Sequence, residues 1–109
     1  MAVKLYRGDT WTRAWELRDA AGNPIDLTGA SARLQVRDAT GAVVISASTA
    51  DGRITITPAS GRIDMSVPYS ATGLAPGPYR FDLEVTHAGG MRRTYEQDTL
   101  VVLEDVSHD

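Results

Sequence analysis

The chain has no cysteine, a single lysine and a single phenylalanine, and each scarcity removes a class of explanation. Without cysteine there is no disulfide framework, no thiolate ligand for a metal and no thiol nucleophile. Lys4 is the only lysine among 11 basic residues, and the longest basic run is the pair Arg92-Arg93. With a formal net charge of -3, that leaves no surface able to follow a phosphate backbone, so nucleic acid is not an expected partner. No apolar run approaches the roughly 18 residues of a membrane span. Met1-Ala-Val-Lys leads straight into patterned sequence without an apolar signal core, so the expectation is a soluble protein made and folded in a cytoplasm. Two histidines, His87 and His108, are too far apart to pair as metal ligands by local spacing. G-x-S-x-G, phosphate-binding glycine loops and zinc-ligand patterns are all missing, so neither an enzyme nor a cofactor is expected.

What the chain does contain is alternation of period two, the mark of half-buried strands. In 79–86, Tyr79, Phe81, Leu83 and Val85 fall on one face, with Arg80, Asp82, Glu84 and Thr86 on the other. Ala32, Leu34 and Val36 oppose Arg33, Gln35 and Arg37 in the same way. Ile54 and Ile56, then Ile63, Met65 and Val67, repeat the pattern, and no segment holds helical periodicity over a useful length. Leu100-Val-Val-Leu103 is a continuous apolar run, as in a strand covered on both faces.

Turn residues punctuate these runs. Asp38-Ala-Thr-Gly41, Pro58-Ala-Ser-Gly61 and Ala88-Gly-Gly90 predict hairpins, and Gly22-Asn23-Pro24 closes a first long strand over 10–18. Ser70 to Pro78, with two prolines and two glycines, reads as a crossover between sheets and excludes a central strand there. Tyr79 just after it can anchor that corner through its hydroxyl. The pattern predicts about seven or eight strands in one all-β, antiparallel, two-sheet sandwich of the immunoglobulin-like kind. The domain is expected over 1–104, with residues 105–109 as a polar tail.

Four groups of residues could carry function. Arg7-Gly8-Asp9 matches an adhesion tripeptide, but it lies between a short strand, Val3 to Tyr6, and a long one, where a glycine turn is the simpler reading. Trp11, Arg13 and Trp15 share one strand face. The two rings could be core, a protein interface or a platform for sugar, and the arginine between them calls for an edge, an aromatic partner or another subunit. Asp82 and Glu84 are spaced like a glycosidase pair but lie side by side on a ladder, where arginines on the same and the next strand can neutralise them. Asp19, Asn23 and Asp26 read as side chains capping their own turns rather than as a calcium loop.

A family likeness rests on Arg7-Gly8-Asp9-Thr10, on Gly22-Asn-Pro-Ile-Asp-Leu-Thr-Gly29 and on Leu74-Ala-Pro-Gly-Pro-Tyr79. Over nearly its whole length the chain resembles small immunoglobulin-like structural proteins of tailed bacteriophages and prophages, including the amino-terminal domain of upper baseplate proteins. The resemblance implies a virion component made in the host bacterial cytoplasm and docked, in many copies, to tail or baseplate proteins, with head decoration as an alternative. A sugar-binding module using Trp11 and Trp15 is the competing class. Upper baseplate proteins carry long further domains that this sequence lacks, which implies action by docking. The expected contact residues are Val3, Lys4, Leu5 and Tyr6 on an edge strand, Trp11, Arg13 and Trp15, and Glu104, Asp105 and Val106 in the tail.

Overall fold

The computed structural model describes residues 2–104. Eight strands form two sheets: β1 (Val3–Tyr6), β2 (Trp11–Glu16), β3 (Ser31–Arg37), β4 (Val43–Ser48), β5 (Ile54–Thr57), β6 (Arg62–Val67), β7 (Gly77–Thr86) and β8 (Arg92–Leu103). One sheet has five strands in the order β1-β8-β7-β3-β4, and the other has three in the order β2-β6-β5. The fold is therefore the expected immunoglobulin-like β-sandwich. One pairing departs from a purely antiparallel plan: β1 runs parallel to β8, with Val3 opposite Leu100 and Tyr6 opposite Leu103.

The period-two pattern places the core. Leu34, Val36, Leu83, Val85, Leu100 and Val102 from the five-stranded sheet meet Ile54, Ile63, Met65 and Val67 from the smaller one, all of them buried. Burying each such side chain contributes roughly 1.5–3 kcal/mol relative to exposure, and this is the main force holding the sheets together. The expected hairpins at 38–41, 58–61 and 88–90 join β3 to β4, β5 to β6 and β7 to β8. In the second, Gly61 is buried with φ +64°, and a Cβ there would come within 2.5 Å of the Leu17 carbonyl oxygen. Glycine is required because the strand beyond β2 passes that close, bonding Leu17 N–H to Gly61 O at 2.8 Å.

Some boundaries shift. The first long strand ends at Glu16 rather than Arg18, which instead makes an isolated bridge to Pro24. The crossover from β6 to β7 does change sheets, but β7 already begins at Gly77, so Pro78 lies in a central strand, opposite Val101. A proline is tolerated there because it occupies the second residue, where the ladder is only starting. Tyr79 donates its hydroxyl to Ala75 O at 2.7 Å and fixes the corner as expected. Val101 and Leu103 are half-buried rather than fully covered, since among the described residues nothing packs over the outer face of β8 to the depth of the core.

A β-bulge in β8 has a larger effect. Glu84 pairs with Thr94 but Leu83 pairs with Glu96, leaving Tyr95 as the extra residue. In an unbroken ladder Glu96 would stand opposite Asp82 and face outward. The bulge turns it inward, toward β2.

Candidate functional site

Two places gather polar chemistry: the seam between β2 and β8, and the outer face of the five-stranded sheet. At the seam, Arg13 Nη2 donates to both carboxylate oxygens of Glu96, at 2.6 and 2.8 Å, and Trp15 Nε1 donates to the same group at 2.8 Å. The Arg13 guanidinium also lies 5.5 Å from the centroids of both Trp15 and Phe81. The charge on a core-facing position is thus explained by an aromatic partner together with a carboxylate delivered by the bulge. Trp11 is 4% exposed and meets Phe81 edge to face, with ring centroids 5.6 Å apart. Neither ring can serve as a sugar platform. Trp11 is core, and Trp15 is tied to Glu96 on the inner face, so that expectation is corrected.

The other expected contact residues divide. Val3–Tyr6 is an edge strand, as anticipated, with Lys4 and Tyr6 exposed. Leu5 is buried and, like Trp11, belongs to the core rather than to an interface. Glu104 is exposed, while Asp105 and Val106, with His108, fall outside the described residues. Arg7-Gly8-Asp9 forms the turn between β1 and β2, with Gly8 at φ +83°. Its backbone is tied down by Arg7 N–H to Leu103 O (2.7 Å), Gly8 N–H to Thr72 O (3.2 Å) and the Thr72 hydroxyl to Asp9 O (2.7 Å). Thr72 is wholly buried, and sequence reading passed over it because nothing local marks a threonine as a tertiary latch.

Asp19 Oδ1 accepts from the N–H groups of Ala21 and Asn23, and Asp26 Oδ1 from Thr28, so these carboxylates cap turns as expected. The Thr28 hydroxyl and N–H hold the Asp26 carboxyl below its ordinary pKa. His87 Nε2 lies 2.7 Å from the Tyr95 hydroxyl. Among the described residues no three His, Cys, Asp or Glu side chains group as metal ligands would, and no helix is long and apolar enough to cross a membrane.

The outer face of the five-stranded sheet holds a groove of about 560 Å³ over β3, β7 and β8. Gln35, Arg37, Arg80, Asp82, Gln97 and Thr99 line it. Arg37 and Arg80 are register partners, two cations directly opposite each other on adjacent strands. Four residues along the same two strands, Arg33 stands opposite Glu84 and forms an ion pair at 3.2 Å, with Arg92 also approaching Glu84 at 3.7 Å. The sheet therefore neutralises one cross-strand position and leaves the other with like charges, an arrangement that costs stability. Among the described residues neither Arg37 nor Arg80 has a carboxylate within ion-pair distance. Sequence reading missed this site because Arg37 and Arg80 become neighbours only once the β3–β7 register is known.

No family model matches the chain, and no curated protein matches it. Among solved structures it is similar to CopC from Methylosinus trichosporium OB3b, at 13% identity and a TM-score of 0.55, over 94% of this chain and 83% of that one. At that identity the likeness shows the β-sandwich alone. It also corrects the expected role in a tailed-phage virion, whether in tail, baseplate or head. The fold on which that role rested is shared with CopC, a protein outside that family, so the fold does not carry the role. Immunoglobulin-like sandwiches host unrelated tasks, so turns that shape the fold carry no function by themselves.

Proposed function

We propose that this chain is a non-enzymatic binding module that holds its ligand against the outer face of the five-stranded sheet. The observation that carries the reading is the Arg37–Arg80 pair: like charges placed opposite in a groove, four residues along the same two strands from the neutralised Arg33–Glu84 pair. A sequence shaped for stability alone would place an acid at one of the two positions. The groove combines guanidinium, carboxamide, carboxylate and hydroxyl groups on a sheet face with apolar surface from Ala39, Pro78, Tyr79 and Phe81, a set suited to orienting a ligand rather than transforming it.

A screen of small charged and neutral fragments, read by backbone amide shifts, tests the proposal. Binding that perturbs outward residues of β3, β7 and β8 supports it. Fragments that gather only on the smaller sheet or at the β1–β2 turn would remove it. In parallel, Arg80→Glu is expected to raise stability by about 0.2–1 kcal/mol, by converting repulsion into a cross-strand ion pair. A loss of stability in urea titration would show that the pair is not repulsive.

A further inference from the structure

We infer that the Arg37–Arg80 pair is an oxyanion site, receiving a phosphate or carboxylate group of the ligand; the inference rests on the groove reading above and names its chemistry. Arg37 is held in place: its Nη1 donates to Gly41 O at 2.8 Å and its Nη2 to Gln35 Oε1 at 2.9 Å. A guanidinium carries five N–H donors, so those two bonds orient Arg37 and leave donors for a ligand. Arg80 lines the groove and has no hydrogen-bond or ion-pair partner among the described residues. Side chains on directly opposed residues have Cβ atoms roughly 4.5–5.5 Å apart. One oxyanion between them can accept from both guanidiniums, and such charge-assisted bonds are about twice as strong as neutral ones.

The nearby acids do not fill that place. Asp38 Oδ1 already accepts from Thr40 N–H at 2.9 Å, the Thr40 hydroxyl at 2.6 Å and Ala42 N–H at 3.1 Å, all within its own turn. Asp82 lies two residues beyond Arg80 on the same face, about 6–7 Å along the strand. It stands opposite Gln35 on one side and Gln97 on the other. It repels a second anion and offers an acceptor, so the ligand that fits carries one oxyanion and, one strand repeat away, a hydrogen-bond donor.

The test records backbone and arginine Nε–Hε shifts while sodium phosphate, or separately sodium acetate, replaces sodium chloride at constant ionic strength and pH. Saturating shifts at Arg37, Arg80, Gln97 and Thr99 are expected. They should weaken at least about tenfold in Arg80→Gln and remain unchanged in Arg33→Gln, whose partner is Glu84. Saturation by phosphate alone assigns a phosphoryl group, and saturation by acetate as well assigns a carboxylate. Shifts equal to those in chloride, or shifts that persist in Arg80→Gln, overturn the inference. If neutral fragments occupy the groove while neither anion does, the oxyanion assignment falls and the groove reading stands.

Discussion

Replacing Glu96 by alanine removes the acceptor of three hydrogen bonds and strands the Arg13 charge between two aromatic rings. Breaking a fully buried ion pair from one side costs about 3–5 kcal/mol. Here the Arg13 and Glu96 side chains are 23% and 24% exposed, so water reaches part of the freed guanidinium and the cost is smaller. Together with the lost Trp15 bond, the expected destabilisation is about 2–3 kcal/mol. For a domain of this size that lowers the melting temperature by roughly 10 °C. Thermal unfolding followed by far-ultraviolet circular dichroism gives the magnitude, and a shift in Trp15 emission reports the freed indole. The double variant Arg13→Met with Glu96→Leu should recover most of the loss, because both charged partners are then replaced by apolar chains of similar length. A single variant melting within about 2 °C of the parent would mean that water screens the pair as it does an ordinary surface bridge. A double variant as unstable as the single one would show that the cost lies in packing rather than in the stranded charge.

Gly61→Ala should destabilise by about 2–5 kcal/mol, from a left-handed φ and the displacement of the Leu17 carbonyl and its bonds; denaturant titration measures it. Tyr79→Phe should cost about 1 kcal/mol by removing the corner bond to Ala75, with little change in far-ultraviolet signal. The Thr40 hydroxyl, followed by backbone N–H groups, holds Asp38 below the ordinary aspartate pKa, and Asp26 is lowered likewise. A folded-state pKa below the unfolded one gives stability that is present above the unfolded value, near 3.9, and is lost as pH falls through the folded value. Asp38→Asn keeps an acceptor at the turn, so its melting temperature should fall less between pH 4 and pH 2 than the parent's; equal slopes would contradict the assignment.

Much of the architecture could be read from local pattern. Inward positions on β3, β6 and β7 follow from strict alternation, the three hairpins from their glycines with Asp38 and Pro58 opening two of them, and the Tyr79 anchor from its place after the crossover. What escaped depends on register between distant segments. The parallel docking of β1 on β8 leaves no local signature, and the bulge at Tyr95 hides in a stretch where Arg93, Thr94, Tyr95 and Glu96 show no alternation to interrupt. Without the bulge, Arg13 has no visible partner, which is why it could be read equally as an edge, a stacked or an interface residue. Pro78 misleads for a related reason: proline argues against a central strand, yet the first positions of one escape that rule. The Arg37–Arg80 groove is invisible for the same cause, since each arginine alone is an ordinary outward residue.

The pairing of β1 with β8 also bears on how the protein is born. Leu5 on β1 is synthesised well before the strand that shelters it, with Val102 as its register partner. Until β8 emerges that leucine has no ladder to join, so the chain can assemble its hairpins one by one before it seals this margin. This margin closes after the hairpins, and until then an unmatched strand must be kept from finding a neighbour's.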